Sequence, residues 1–213
     1  MRVDVFTLVP HAFAWLTEQR PIAGILGGEL ELRLFNYRDT TPLRAGQVDD
    51  EPYGGGAGMV LRVDVVAAAL DAVYGGDQPK RVVALTPQGR PLTQALVEEL
   101  AQEREIALLS SRFEGFDERI VEHLASDAVS IGPYVLSNGE LPAMVVLDAV
   151  ARRLPGALAE GSGELESFSA ELGGALEYPH YTRPSEFRGW PVPEVLLSGD
   201  HARIDAWRRD HVR

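Results

Sequence analysis

Residues 110–142 read SSRFEGFDERIVEHLASDAVSIGPYVLSNGELP. Two glycine-bearing turns, RFEG at 112–115 and IGPYVLSNG at 131–139, flank one short helix. Each turn follows an apolar run, 106–109 and 128–131, with the length and composition of a buried strand. A ligand at the carboxyl ends of two such strands is gripped by backbone amides from both turns. The same pattern also describes two ordinary strand-to-helix loops.

Outward from this stretch the chain alternates strand and helix. Residues 3–8 and 30–36 read as the first two strands, and a helix starts at 12–16. Residues 63–74 form an apolar helix closed by Gly75-Gly76. RVVAL at 81–85 is a β-branched strand, and Thr93 opens a helix within 91–104. This alternation predicts an α/β fold with a parallel sheet and right-handed crossovers. Helices are expected at 117–124 and 141–154, the second almost wholly apolar over 141–147 and so buried in sheet packing or a subunit interface. Residues 37–58 carry no periodicity and read as one long loop.

The composition changes after Pro155-Gly156. The expected organisation is a first domain over 1–157, an interdomain linker over 158–178 and a small, helical C-terminal domain over 179–213. Asp200 is placed to cap a last helix over 201–213.

The chain has 213 residues and a formal net charge of −12. That balance argues against a general nucleic-acid binder. Residues 171–213 are near neutral, with six arginines against seven acids, so any RNA contact is expected to be local and favoured there. No apolar run approaches the roughly 18 residues that cross a bilayer, and the amino terminus lacks the features of a signal peptide. With no cysteine, the chain has no disulfide, thiolate metal site or cysteine nucleophile. The five histidines have no metal-ligand spacing, so no metal site is expected.

The segment DDEPYGGGAGM at 49–59 lacks both the lysine of a Walker loop and the GxGxxG spacing of a dinucleotide site. Its glycines allow close backbone approach, and a plain surface turn remains an alternative.

RFEGFDER, SIGPYVLSNGELPA and EYPHYTRP, together with VDDEPYGGGAGM and LTPQGRPL, resemble the signature segments of the bacterial tRNA (guanine-N1)-methyltransferases of the TrmD type, members of the SPOUT class. The resemblance runs from residue 1 to about 207. It implies a deep trefoil knot formed by the loops at 85–89, 110–115 and 131–142. It also implies S-adenosyl-L-methionine held in a bent shape by Leu85, Thr86, Pro87, Gln88, Gly89, Ser111, Arg112, Glu114, Gly115, Ile131, Gly132, Pro133, Tyr134, Val135, Leu136, Gly139 and Pro142. Asp49, Tyr53, Gly54, Gly55, Gly58, Glu114 and Arg183 correspond to positions that meet the guanosine or the tRNA. Glu166 stands at the position of the general base and Arg152 at that of the O6 partner. Read from the residues alone, Glu166 is a solvated acid, and Arg152 and Arg183 are surface cations.

The resemblance further implies methylation of N1 of guanosine-37 after guanosine-36 in the tRNA anticodon region, Mg2+, a cytoplasmic location and a homodimer with its site between subunits. Three positions depart from the pattern. Glu166 replaces an aspartate, Ser111 a glycine, and Ala57 the proline of many members. The pattern also continues past the Trp207-Arg208 pair into further helices, which makes the C-terminal domain short. Two other readings are kept: a cofactor- and RNA-binding pseudoenzyme, and an ordinary nucleotide-dependent α/β enzyme.

Overall fold

Strict alternation of side chains along the strands sets the architecture. The computed structural model describes residues 1–77, 79–159, 162 and 166–213. It begins with β1 (Arg2–Thr7), α1 (Ala14–Glu18), α2 (Ile22–Ile25) and β2 (Glu31–Asn36). After α3 (Tyr37–Thr40), the short strands β3 (Asp49–Asp50) and β4 (Val60–Leu61) pair antiparallel. There follow α4 (Val63–Tyr74), β5 (Arg81–Pro91), α5 (Gln94–Ala101), β6 (Glu105–Ser110), a π-helical turn at Ile120–Leu124, β7 (Asp127–Ser130) and α6 (Glu140–Ala151).

The main sheet has the order β2-β1-β6-β5-β7, and every neighbouring pair is parallel. On one face Val3, Val5, Val83, Leu85, Ile106 and Leu108 pack under residues of α1, α2, α5 and α6. On the other, Phe6, Val82, Ala107 and Leu109 meet Tyr37, Val65, Val66, Leu70 and Ile120. Both faces are thus covered, as a parallel sheet requires. Asp4 is the charged exception among the buried residues of β1. It is fully buried, accepts two hydrogen bonds from the Arg33 guanidinium (2.7 and 2.6 Å) and one from the Tyr74 hydroxyl (2.6 Å). Burial and the donated bond to Asp4 push the Tyr74 phenol well above its ordinary value.

Three local expectations are corrected. Residues 37–58 are not one open loop, because α3, a 3-10 turn at Arg44–Gly46 and the β3–β4 pair organise them. The helix expected over 117–124 is reduced to the π-helical turn. The strand read over 81–85 continues: after an irregularity between Leu85 and Arg90, Arg90 and Pro91 rejoin β7 beside Val129 and Ser130. Gly89 lies so close to β7 that a Cβ there would come within 2.4–2.6 Å of main-chain atoms of Ala128 and Val129. Only glycine permits that approach. Arg90 Nε then donates to Asp127 at 3.0 Å across the same strand.

The chain divides into two compact units, Met1–Leu158 and Ala159–Arg213. Residues 160, 161 and 163–165 of the expected linker lie outside the described residues. The second unit is not purely helical. A hairpin of β8 (Glu186–Phe187) and β9 (Trp190–Pro191) precedes α7 (Glu194–Leu197) and α8 (His201–Asp210). Leu176 and Arg213 exchange both backbone hydrogen bonds (2.7 and 3.0 Å). Trp207 stacks on His211 at 4.0 Å and meets the edge of Tyr181.

Candidate active site

At the irregularity within β5 and beyond the carboxyl ends of β6 and β7, three segments surround a cleft of about 140 Å³. Leu85, Thr86 and Pro87 form one wall, residues 111–115 the second, and residues 129–132, 134–139 and Pro142 the third. Of the positions named for the cofactor, Gln88, Gly89 and Pro133 do not line it. Gln88 hydrogen-bonds Thr86, and Gly89 is committed to β7. Residues 113, 129, 130, 137 and 138 line the cleft without having been singled out. Their signal was only adjacency to the motif residues.

The second and third walls are tied together by main chain. The Gly139 N–H donates to the Ser111 carbonyl at 2.7 Å. A Cβ on Gly139 would lie 2.6 Å from Ser111 N and 2.8 Å from Ser110 Cα, so the contact demands glycine. Ser111 is accommodated, since the bond uses its carbonyl. Phe113 adopts a left-handed backbone (φ 60), a strained conformation for an aromatic residue. Tyr134 covers Gly132 with its ring and donates its hydroxyl to the Ile131 carbonyl at 3.1 Å.

The glycine-rich loop is sewn to the second wall. The Glu114 N–H donates to the Met59 carbonyl (2.9 Å), and the Leu61 N–H to the Gly115 carbonyl (3.0 Å). The Glu114 carboxylate lies over Gly58, whose φ is +82. At the base of the loop, Arg62 clamps Asp50 (2.7 Å) and, through two bonds, Asp64 (3.0 and 2.8 Å). The Arg62 hydrogen bonds hold the Asp64 carboxyl below the usual carboxylate range. Arg119 does the same to Asp117, with bonds of 2.9 and 2.6 Å. Asp49 sits in β3, Gly54 and Gly55 have positive φ, and Tyr53 is fully exposed.

Arg152 is not at this cleft. It caps the carboxyl end of α6, ten residues beyond Pro142 and so about 15 Å farther along the helix axis. Arg153 beside it lies 3.6 Å from Glu98. Glu166 and Arg183 belong to the second unit. The Glu166 carbonyl accepts the Ser169 N–H at 3.0 Å, and its neighbour Phe168 holds φ +70. Arg183 is exposed.

The family model described as tRNA (Guanine-1)-methyltransferase TrmD matches residues 1–213. The chain belongs to that family. A tRNA (guanine-N(1)-)-methyltransferase of Brevibacillus brevis is 50% identical over 210 residues, covering 98% of this chain and 85% of the relative. Those named likewise from Pelotomaculum thermopropionicum and Dehalococcoides mccartyi (strain ATCC BAA-2266 / KCTC 15142 / 195) are 49% and 47% identical, each match covering 98% of this chain and 84% of the relative. Membership in the tRNA (guanine-1)-methyltransferase family excludes the ordinary nucleotide-dependent enzyme and favours turnover over a binding-only chain. Among the described residues, no helix of this family member is long and apolar enough to cross a membrane.

Proposed function

We propose that this chain transfers a methyl group from S-adenosyl-L-methionine to N1 of guanosine-37 in tRNAs that carry guanosine at 36. The observation that carries the reading is the convergence of the β5 irregularity and the loops after β6 and β7 on one cleft, in a chain about half identical to curated tRNA (guanine-N(1)-)-methyltransferases.

The chemistry of the cleft suits the cofactor. Leu85, Ile131, Leu136 and Pro142 give an apolar wall for a flat ring, and the peptide groups of 111–115 and 131–136 offer donors and acceptors around it. Glu114 brings a carboxylate to the rim for the cationic end. The backbone approach at Gly139 keeps this wall thin. When bound, S-adenosylmethionine supplies an electrophilic methyl group.

The remaining roles fall to side chains. The Glu166 carboxylate accepts the N1 proton of the guanine, and the Arg152 guanidinium donates to O6 as charge grows there. Glu114 reads the base edge, and Asp49, Tyr53, Gly54, Gly55 and Gly58 form the loop that embraces the base. Arg183 contacts tRNA phosphate, within a small tRNA-binding domain over 179–213 that follows a linker over 158–178. We assign no protein ligands to Mg2+.

Two features support a homodimer with the site between subunits. Arg152 stands a helix away from the cleft of its own chain. Leu141 and Val145, on the otherwise buried α6, are 53% and 44% exposed. A second copy would cover them and bring its own Arg152 and Glu166 toward this cleft. Threading of the loops at 85–89, 110–115 and 131–142 into a trefoil knot agrees with the main-chain packing at Gly89 and Gly139. A cytoplasmic location fits a tRNA substrate.

The test is methyl transfer from labelled S-adenosylmethionine to a transcript with guanosines at 36 and 37. A transcript with adenosine at 37 and the Glu166→Gln enzyme serve as controls. Label is expected only with guanosine-37, and Glu166→Gln should lower kcat by about 10²- to 10⁴-fold. Cofactor binding without transfer by the native chain would sink the proposal.

A further inference from the structure

Directly beneath the cleft lies a buried polar cluster that the roles above do not use. Glu140, the first residue of α6, follows Gly139 and is only 3% exposed, although it carries a carboxylate. One carboxylate oxygen, Oε1, accepts the Thr7 hydroxyl proton at 2.7 Å. Thr7 is itself fixed, since its oxygen accepts the Val9 N–H at 2.9 Å. Among the described residues, Glu140 Oε2, the Tyr37 hydroxyl and the Ser110 hydroxyl are buried with no hydrogen-bond partner.

The main-chain packing of Gly139 against Ser110 brings the next residue, Glu140, to the end of β6. Tyr37 is fully buried, and desolvation followed by the nearby Glu140 charge pushes its phenol well above the ordinary value, while the Ser110 backbone amide acts the other way. Tyr37 opens α3, Ser110 ends β6 and Thr7 ends β1, so the cluster draws on three elements besides α6. A buried carboxylate destabilises the fold unless its oxygens are satisfied. Unpaired buried hydroxyls carry a similar, smaller penalty. Two hydroxyls and one carboxylate oxygen are the two to four polar partners that hold a buried water.

We propose that Glu140 is a positioning residue for the third wall of the cleft. Its Oε1 is fixed by Thr7, and its Oε2 shares one buried water with Tyr37 and Ser110. That water-linked cluster clamps Gly139 against the main chain of Ser110 and Ser111. The wall at 134–139 is thereby held in its binding shape before any ligand arrives. The consequence for cofactor affinity rests on the function proposed above, whereas the consequence for the loop does not.

The experiment compares the full-length native chain with Glu140→Leu, Glu140→Gln and Tyr37→Phe. Amide hydrogen exchange at Gly139 is followed without cofactor, and S-adenosylhomocysteine binding is measured by calorimetry. Glu140→Leu is expected to speed Gly139 exchange about tenfold and to weaken binding about tenfold, the size expected when buried partners are lost. Glu140→Gln keeps an acceptor for Thr7 and should stay within about threefold on both readouts. Tyr37→Phe should fall between them.

A merely stabilising role predicts something different: faster exchange throughout β1 and β6, a lower unfolding midpoint and unchanged affinity. That pattern would overturn the proposal, as would unchanged Gly139 exchange in Glu140→Leu. If Glu140→Leu fails to fold, Tyr37→Phe decides by the same criterion at Gly139. A high-resolution crystal structure with no solvent peak between Tyr37, Ser110 and Glu140 would remove the shared water and overturn the clamp. Should the native chain fail to bind S-adenosylhomocysteine, the function falls while the exchange measurement still judges the clamp.

Discussion

The two units of this chain are held together by different physics. In Met1–Leu158, two apolar layers are sealed against opposite faces of one parallel sheet. In Ala159–Arg213, Ser169 is the one buried residue among those described, and Leu176, Phe187, Trp190 and Leu197 are each at least 45% exposed. The first unit draws its stability from removal of apolar area, which is spread over many side chains. The second relies on a few ring contacts, a helix cap and the Leu176–Arg213 backbone pair. Rigidity at the cleft therefore comes from sheet packing, and the unit holding Glu166 has no comparable layer of its own.

The largest expected effect tests that contrast at its root. Leu108 lies in the middle of β6, fully buried, and Leu108→Ala should cost about 2–5 kcal/mol in urea unfolding. Trp207→Ala, which removes the ring shared with Tyr181 and His211, should cost less, on the order of 1 kcal/mol beyond the area lost. It should also erase near-ultraviolet signal from the second unit while leaving the midpoint of the first nearly unchanged. A Leu108→Ala penalty below about 1 kcal/mol would break the comparison.

The same contrast explains what could be read in advance. Residues 63–74 were legible as a helix because the stretch is alanine-rich and apolar on more than one face and Gly75-Gly76 stop it; α4 spans Val63–Tyr74. Asp200 was legible as a cap because that rule is local, and its side chain accepts the Arg203 N–H. The order within 37–58 was not, because it comes from turns too short to show a period and from the pairing of Asp49 and Asp50 with Leu61 and Val60 across the glycine-rich loop. The extension of β5 was likewise hidden. Thr86-Pro87-Gln88-Gly89 has the composition of a turn, and only the approach of β7 carries the strand onward. At the site, the loop motifs named most of the residues that line the cleft, but not Phe113, Val129, Ser130, Ser137 or Asn138. Glu140 escaped notice, since a carboxylate opening a helix is ordinary in sequence. Its burial against Thr7, which lies 133 positions away, is visible only in the fold.

A smaller effect sharpens the comparison through pH. The Tyr37 phenol has a higher pKa in the folded chain than its ordinary 10.0, chiefly because burial disfavours the phenolate. Below pH 10 both folded and unfolded chains keep the proton, so Tyr37 adds no pH dependence. Above pH 10 the unfolded chain releases a proton that the folded chain retains, and stability falls by about 1.4 kcal/mol per pH unit from this group alone. Urea midpoints between pH 9 and 11.5 should show this decline, and Tyr37→Phe should lessen it, the raised Tyr74 phenol supplying a similar share. An equal slope in Tyr37→Phe would mean that the phenol already reaches water in the folded state.

The smallest effect belongs to the second unit. Asp200 accepts the Arg203 N–H at 3.2 Å at the start of α8 and places a negative charge at the positive end of the helix dipole. No buried layer backs this helix: Ile204, Ala206 and Trp207 are half-buried, and none of its residues is buried. Asp200→Ala should therefore cost about 1 kcal/mol, a minor loss for the first unit but a large share of what holds α8. Helical signal from the second unit should fray on warming well before the sheet unfolds, whereas Thr93→Ala, the equivalent cap of α5, should leave its packed helix intact to the main transition. If both cap variants melt at the same temperature, packing rather than capping governs the second unit too, and the division drawn between the two units is lost.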